Sequence, residues 1–309
     1  MFGMTALPLP EALDRGVVVL DGGLATRLEA RGHDLSGGLW SARLLLSRDG
    51  RAQVAAAHRD FFAAGAQVAT TASYQLSRLS MQRAGHDPDR ADELLRASVE
   101  VARAVRDEVA PDGWVVGSVG PYGASLADGS EYTGAYGLGG DHGDEVAALR
   151  AFHRPRIEAL VEAGADALAA ETVPCAAEAE ALSAELAAAG LPAWISLTPA
   201  PGGLTTRRGE PLVVALEPTS AVMAVGVNCC APDEVLPALE LAAAVTGRPG
   251  VAYPNSGERW DAAAQRWWGE TAWEPAAVRG WVAAGARLVG GCCRVGPDEV
   301  APLAALART

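Results

Sequence analysis

The stretch VMAVGVNCCAPDEVLPALELAAA, Val222 to Ala244, changes character half-way along. An apolar, β-branched run gives way to a short polar turn, and then to an Ala-rich segment whose charges recur at helical spacing, which together read as one strand-turn-helix unit. Working outward, seven further runs of the same kind open at Gly16 (GVVVLDGG), Ala66 (AQVATTASYQ), Trp114 (WVVGSVGPYG), Ala165 (ADALAAETVP), Pro192 (PAWISLTP), Gly250 (GVAYPNSGE) and Ala286 (ARLVGGCC). Helical segments follow or separate most of them, at Arg51 to Ala64, Asp89 to Val109, Asp144 to Ala163, Ala176 to Ala189, Pro275 to Ala284 and Pro297 to Ala307. Only the link from the fifth run to the sixth, around Pro211 to Thr219, is too short for a full helix.

Eight such units with no obvious linker predict an α/β fold, a (β/α)8 TIM-type barrel occupying residues 1–309 as a single domain. The loops after Leu35 and around Gly123 to Asp144 are read as embellishments of it. The competing architecture is an open doubly wound sheet. Its dinucleotide fingerprint is missing, because the first strand leads into DGGLATR and not into G-x-G-x-x-G. On the barrel reading the unusual polar residues Asp21, Ser73, Tyr74, Glu171, Asn228, Cys229, Asn255, Cys292 and Cys293 all fall at the C-terminal ends of strands, where barrel enzymes carry their sites.

Composition narrows the chemistry. Half of the 309 residues are apolar, enough for a large core, yet nowhere do about 18 run uninterrupted as a membrane span needs. The first residues carry no basic segment followed by an apolar one, so a soluble, cytoplasmic protein is expected. A net charge of -13 disfavours nucleic acid and anionic membranes as partners. All 25 basic residues are Arg, which removes Schiff-base chemistry and the P-loop Lys. With no G-x-S-x-G elbow, and all five His confined to the first half, a Ser-His-Asp triad is disfavoured too.

Four of the five cysteines come in two doublets, Cys229–Cys230 and Cys292–Cys293, and the fifth is Cys175. Their odd number and the lack of a secretion signal favour reduced thiols or metal ligands. In an extended strand neighbouring side chains point to opposite faces, so adjacent cysteines share one metal only where the strand stops and the chain turns. Gly290, Gly291 and Gly296 permit that turn. Zinc held by thiolates with one tetrahedral position left open suits such a site, whereas buried, inert thiols are the alternative. Cys175 is read as a core residue or the start of a helix.

At GVNC and GGCC the sequence resembles the homocysteine S-methyltransferase family. The likeness extends through LDGGLATRLEARG, TTASYQ, GSVGPYGA with DGSEYTG, ETVP, YPNSGE and the final GGCCR, in the family's order. It implies a barrel whose Zn2+ is bound by Cys229, Cys292 and Cys293, and a reaction that moves a methyl group to the thiolate of L-homocysteine to give methionine; Cys230 has no role in that pattern, and strand alternation gives it the opposite orientation. It assigns Asp21 and Glu171 to the amino-acid part of homocysteine, mainly its ammonium. Beside this, Asn228 is expected to orient Cys229, and Tyr74 and Trp40 to face a cationic donor. YPNSGERWD resembles the branch using sulfonium donors, S-methylmethionine or S-adenosylmethionine, which makes Asn255 and Glu258 candidates near the donor. Two readings compete with this one: methylation of selenocysteine or another thiol at the same site, and a non-catalytic zinc-binding barrel. The sequence does not set the oligomeric state.

Overall fold

The computed structural model describes residues 7–261 and 266–307. All eight expected runs are strands of one parallel sheet. They are β1 (Val18–Val19), β2 (Val68–Thr70), β3 (Trp114–Val119), β4 (Ala167–Val173), β5 (Ala193–Leu197), β6 (Ala224–Asn228), β7 (Gly250–Tyr253) and β8 (Ala286–Val289). The sheet runs β1-β8-β7-β6-β5-β4-β3-β2. Its two ends meet where the Gln67 amide donates to the Val19 carbonyl at 2.8 Å, and Gln67 Oε1 accepts from the Val19 amide at 3.0 Å. The strands therefore wrap into a (β/α)8 barrel.

Strand side chains alternate between two cores, as the pleat requires. Val18, Val68, Trp114, Val116, Ala167, Ala169, Trp194, Ala224, Val251 and Leu288 fill the barrel interior. Val19, Ala69, Val115, Leu168, Ile195, Val225 and Val289 pack outward against the helices. The long helix Ala91–Val109 shows how the outer layer is coded: Leu94, Leu95, Val99, Ala102 and Val105 recur at three- and four-residue spacing and are buried. Helix His142–Glu162 starts where a reciprocal cap between Asp141 and Asp144 satisfies two backbone amides. Between β5 and β6 only the five-residue helix Leu212–Leu216 and a 3-10 turn fit, as the short spacing requires.

The structure adds elements that periodicity did not reveal. A helix at Leu9–Arg15 closes the bottom of the barrel with Leu9 and Leu13, and Trp114 Nε1 donates to the Leu7 carbonyl at 2.8 Å. Seven residues are too few for a helical repeat to stand out. Short helices at Leu24–Ala30 and Arg78–Arg83 were missed for the same reason. The stretch after YPNSGE forms an antiparallel pair, Arg259–Asp261 with Arg266–Trp268, outside the barrel sheet. Among the described residues no helix is long and apolar enough to cross a membrane.

Candidate active site

Counting in twos up the strands turns the apolar interior into a polar mouth. Trp114 and Val116 are followed by Ser118, Ala167 and Ala169 by Glu171, and Val251 by Tyr253. These ends, with the loops beyond them, enclose a cavity of about 260 Å³ whose wall includes Asp21, Trp40, Tyr74, Glu171 and all three of Cys229, Cys292 and Cys293.

The cysteines converge because the backbone breaks the alternation. Asn228 ends β6 facing inward, so Cys229 on a regular strand would face the helices, as Val227 does. Instead Cys229 has φ of 51°, a left-handed conformation uncommon for residues with a side chain, and its thiol turns into the mouth. Cys230 then takes the outward place and packs in the helix-side core. Trp40 (46°), Thr172 (62°) and Arg294 (67°) share the left-handed region at the same mouth, and such strain concentrates at functional sites. At the other doublet, Gly291 lies so close to Val295 that a Cβ would sit 2.1 Å from its side chain. The turn closed by the Val295 amide on the Cys292 carbonyl at 3.2 Å therefore depends on glycine there.

The three thiol sulfurs lie within 4.8 Å of one another, with Cys229 and Cys293 at 3.8 Å. A tetrahedron of metal–sulfur bonds near 2.3 Å has edges of about 3.8 Å, so the cluster fits one metal ion. The thiols of Cys292 and Cys293, followed by the Tyr132 hydroxyl, hold Cys229 well below the ordinary thiol range. The same contacts with Cys229 push Cys292 and Cys293 upward. Tyr132 Oη is 3.3 Å from the Cys229 sulfur.

Asp21 and Glu171 supply the acidic side of the cavity. Asp21 accepts from the Thr70 amide and hydroxyl, both at 2.7 Å. Glu171 accepts from the Ser118 hydroxyl and is also bonded to Tyr253, whose hydroxyl receives Trp194 Nε1 at 3.1 Å. Burial, partly offset by these hydrogen bonds, raises both carboxyls to about 7. Two buried carboxyls without a cationic partner among the described residues form a site prepared for a cation.

For Asp21 the shift has a consequence for stability. The folded protein keeps this proton up to about pH 7, whereas the ordinary value is 3.8. Between those values the folded state binds more protons than the unfolded chain, so stability from this group falls as pH rises through that window. Asp21→Asn is expected to raise unfolding free energy on the order of 2–4 kcal/mol at pH 8, and by little at pH 4. Urea denaturation at the two pH values checks this. An equal gap at both would refute it.

The remaining candidates sit around this centre. Trp40 and Tyr74 meet edge to face at 6.0 Å on the cavity wall. Asn228 is fully buried beneath the cavity; its Oδ1 accepts from the Thr172 amide at 2.6 Å, and Nδ2 lies 4.0 Å from the Cys292 sulfur. Asn255 is not on the cavity wall; its Oδ1 accepts from the Cys293 amide at 3.2 Å. Glu258 is also off the wall and pairs with Arg294 at 3.0 Å, next in sequence to Cys293. Cys175, buried, stands at the N-cap of helix Ala176–Ala189, so both halves of its reading hold.

Sequence reasoning missed Thr70, Ser118, Tyr132 and Tyr253. Strand parity extended from Trp114 and Val251 would have found Ser118 and Tyr253, whereas Tyr132 lies in the three-residue 3-10 helix Ser130–Tyr132, too short to show a period. Tyr132→Phe removes a hydrogen bond to the Cys229 sulfur, and where such a sulfur binds a metal, partners of that kind are worth about 10–100-fold in metal affinity. Competition with a chelator is expected to show a loss near the lower bound, about 10-fold. Unchanged affinity would refute the contact's role.

A model of the family described as homocysteine S-methyltransferase matches residues 18–307. The chain is 43% identical to the homocysteine S-methyltransferase of Escherichia coli (strain K12), over 96% of this chain and 98% of that protein. It is 36% identical to the selenocysteine Se-methyltransferase of Brassica oleracea var. italica, over 92% of this chain and 87% of that one. Among solved structures, the metallated form of the homocysteine methyltransferase MmuM from Escherichia coli matches with a TM-score of 0.84 at 40% identity, over 97% of this chain and 100% of that chain.

Proposed function

The chain belongs to the homocysteine S-methyltransferase family and is an enzyme of that activity, and from this premise we propose how its residues divide the reaction. The proposed ion is Zn2+, held by Cys229, Cys292 and Cys293. The observation that carries this is the convergence of three sulfurs on a cavity wall, a soft donor set with tetrahedral edge length. Zinc bound there supplies thiol activation, since a coordinating thiol is deprotonated outright. That a metallated form of MmuM exists, at 40% identity, supports a metal site.

The protein's own groups do the rest. Asp21 and Glu171 receive the ammonium of L-homocysteine, which fixes the acceptor's position relative to the cysteines. Asn228 braces the Thr172 turn beneath the cluster, and Asn255 holds the Cys293 backbone, so both act by positioning. Trp40 and Tyr74 offer aromatic surface to a cationic donor. That donor is proposed to be a sulfonium, S-methylmethionine or S-adenosylmethionine. Its S–CH3 bond breaks with the electron pair left on the donor sulfur, which becomes a thioether. A pair on the homocysteine sulfur forms the new S–CH3 bond, and the thiol proton is released to solvent. Negative sulfur and positive sulfonium cancel as they react, which a cavity poor in water favours.

Residues 1–309 are read as one homocysteine-binding barrel domain, supported by a single eight-stranded sheet and a family match over 18–307. The Brassica relative supports a second acceptor, a selenol that would be activated by the ion the same three cysteines would hold. Methionine formation from L-homocysteine with S-methylmethionine, S-adenosylmethionine and betaine supplied separately to zinc-loaded protein tests the proposal. Turnover with a sulfonium and not with betaine is expected. Turnover with betaine alone would overturn the donor, and faster methylation of selenocysteine than of homocysteine would favour the second acceptor.

A further inference from the structure

After Asp21 and Glu171 are assigned to the acceptor, the cavity wall still holds two hydrogen-bond acceptors with nothing to accept. Glu131 Oε2 and Gln75 Oε1 are both buried and have no partner. A buried acceptor left unpaired costs about 1–3 kcal/mol, and more when charged, so two in one cavity mark a place where a ligand brings donors.

The short helix Tyr122–Leu126 packs against the backbone of both residues. Ser125 Oγ reaches the Gln75 carbonyl at 3.5 Å. Gly123 approaches the Glu131 amide so closely that a Cβ would lie 2.4 Å from that nitrogen. Tyr74, next to Gln75 in the chain, lines the same cavity as Trp40, Gln75 and Glu131, so the aromatic pair and both acceptors share one wall. A carboxylate and an amide oxygen accept and do not repel N–H groups, so the complementary ligand group is an ammonium.

We propose that Glu131 and Gln75 form a second ammonium subsite, in the same cavity as Asp21 and Glu171, that binds the α-amino group of the methyl donor. The inference rests on the sulfonium reading above and sharpens it, because it requires the donor to be an amino acid and not merely a sulfonium. The cavity then holds two amino-acid head groups, one at Asp21 and Glu171 and one at Glu131 and Gln75. The three cysteines line the same cavity, within which the two amino acids' side chains would meet.

Two donors separate this role from others: S-methylmethionine and its analogue without the amino group, (3-carboxypropyl)dimethylsulfonium. Steady-state kinetics with zinc-loaded Glu131→Gln are expected to show kcat/KM for S-methylmethionine about 30-fold lower, the scale of a lost charge-assisted hydrogen bond. The des-amino donor should change less than about 3-fold, and KM for homocysteine and zinc content should hold. Gln75→Leu should repeat the pattern with a loss of about 5-fold. Equal losses with both donors, or a raised homocysteine KM with the donor KM unchanged, would overturn the inference while leaving the sulfonium reading intact. Wild-type protein that turns over neither sulfonium would overturn both.

Discussion

Alanine at Cys229, Cys292 or Cys293 is expected to reduce turnover by more than about 100-fold, since even a partner one bond removed from a ligand is worth up to that much. The loss follows from what the acceptor is without activation. A thiol with an ordinary pKa near 8.5 is about 3% thiolate at neutral pH, and only the thiolate attacks well. Zinc content, measured by elemental analysis, should fall with activity in each variant. Folding should survive at Cys293, which lies in a turn beyond β8, so circular dichroism separates loss of metal from loss of fold. Cys230→Ala is the internal control. Its thiol lies in the core between sheet and helices, so it should cost stability from lost packing and leave metal content intact. Full activity in Cys292→Ala, or metal loss in Cys230→Ala with the fold retained, would show that the wrong sulfurs had been chosen.

That control also shows how far the sequence could be read. The eight strands were legible because each interior is a continuous apolar run and each outer helix has a separate period, so residues such as Leu94, Leu95 and Val99 announce their own burial. The choice between Cys229 and Cys230 was not legible from alternation. Parity counted from Asn228 sends Cys229 to the wrong face, and only a left-handed φ of 51° restores it. Such a conformation leaves no mark in the sequence when the residue is not glycine. The family pattern carried that assignment, and the backbone supplies its physical reason. Asn255 illustrates the opposite outcome. Its place after a strand suggested a donor contact, whereas its side chain serves the Cys293 amide, a distinction that depends on one rotamer. Glu131 and Tyr132 were present in a recognised motif, but in a three-residue 3-10 helix between β3 and β4 nothing local says which side chains enter the cavity.

Glu171→Gln should lower kcat/KM for homocysteine by roughly 30-fold or more, corresponding to about 2 kcal/mol at the low end for removing one member of a desolvated charge pair. The substitution is nearly isosteric, and the amide oxygen still accepts from Ser118, so the scaffold is preserved while the charge is lost. Metal content should not change, which distinguishes this variant from the cysteine variants. The pH profile gives a second signature. Both carboxyls must be ionised to receive an ammonium, and burial holds them near pH 7, so kcat/KM for homocysteine is expected to rise with pH through that region in the wild type. Glu171 contributes to the elevation of Asp21 by like-charge repulsion. Removing it should therefore move the acid limb of the profile to lower pH as Asp21 titrates alone. A structural role for Glu171 would lower activity without moving that limb. A shifted limb together with the lost affinity requires that the two carboxyls act as one cation site, with the acceptor's ammonium as the charge that completes it.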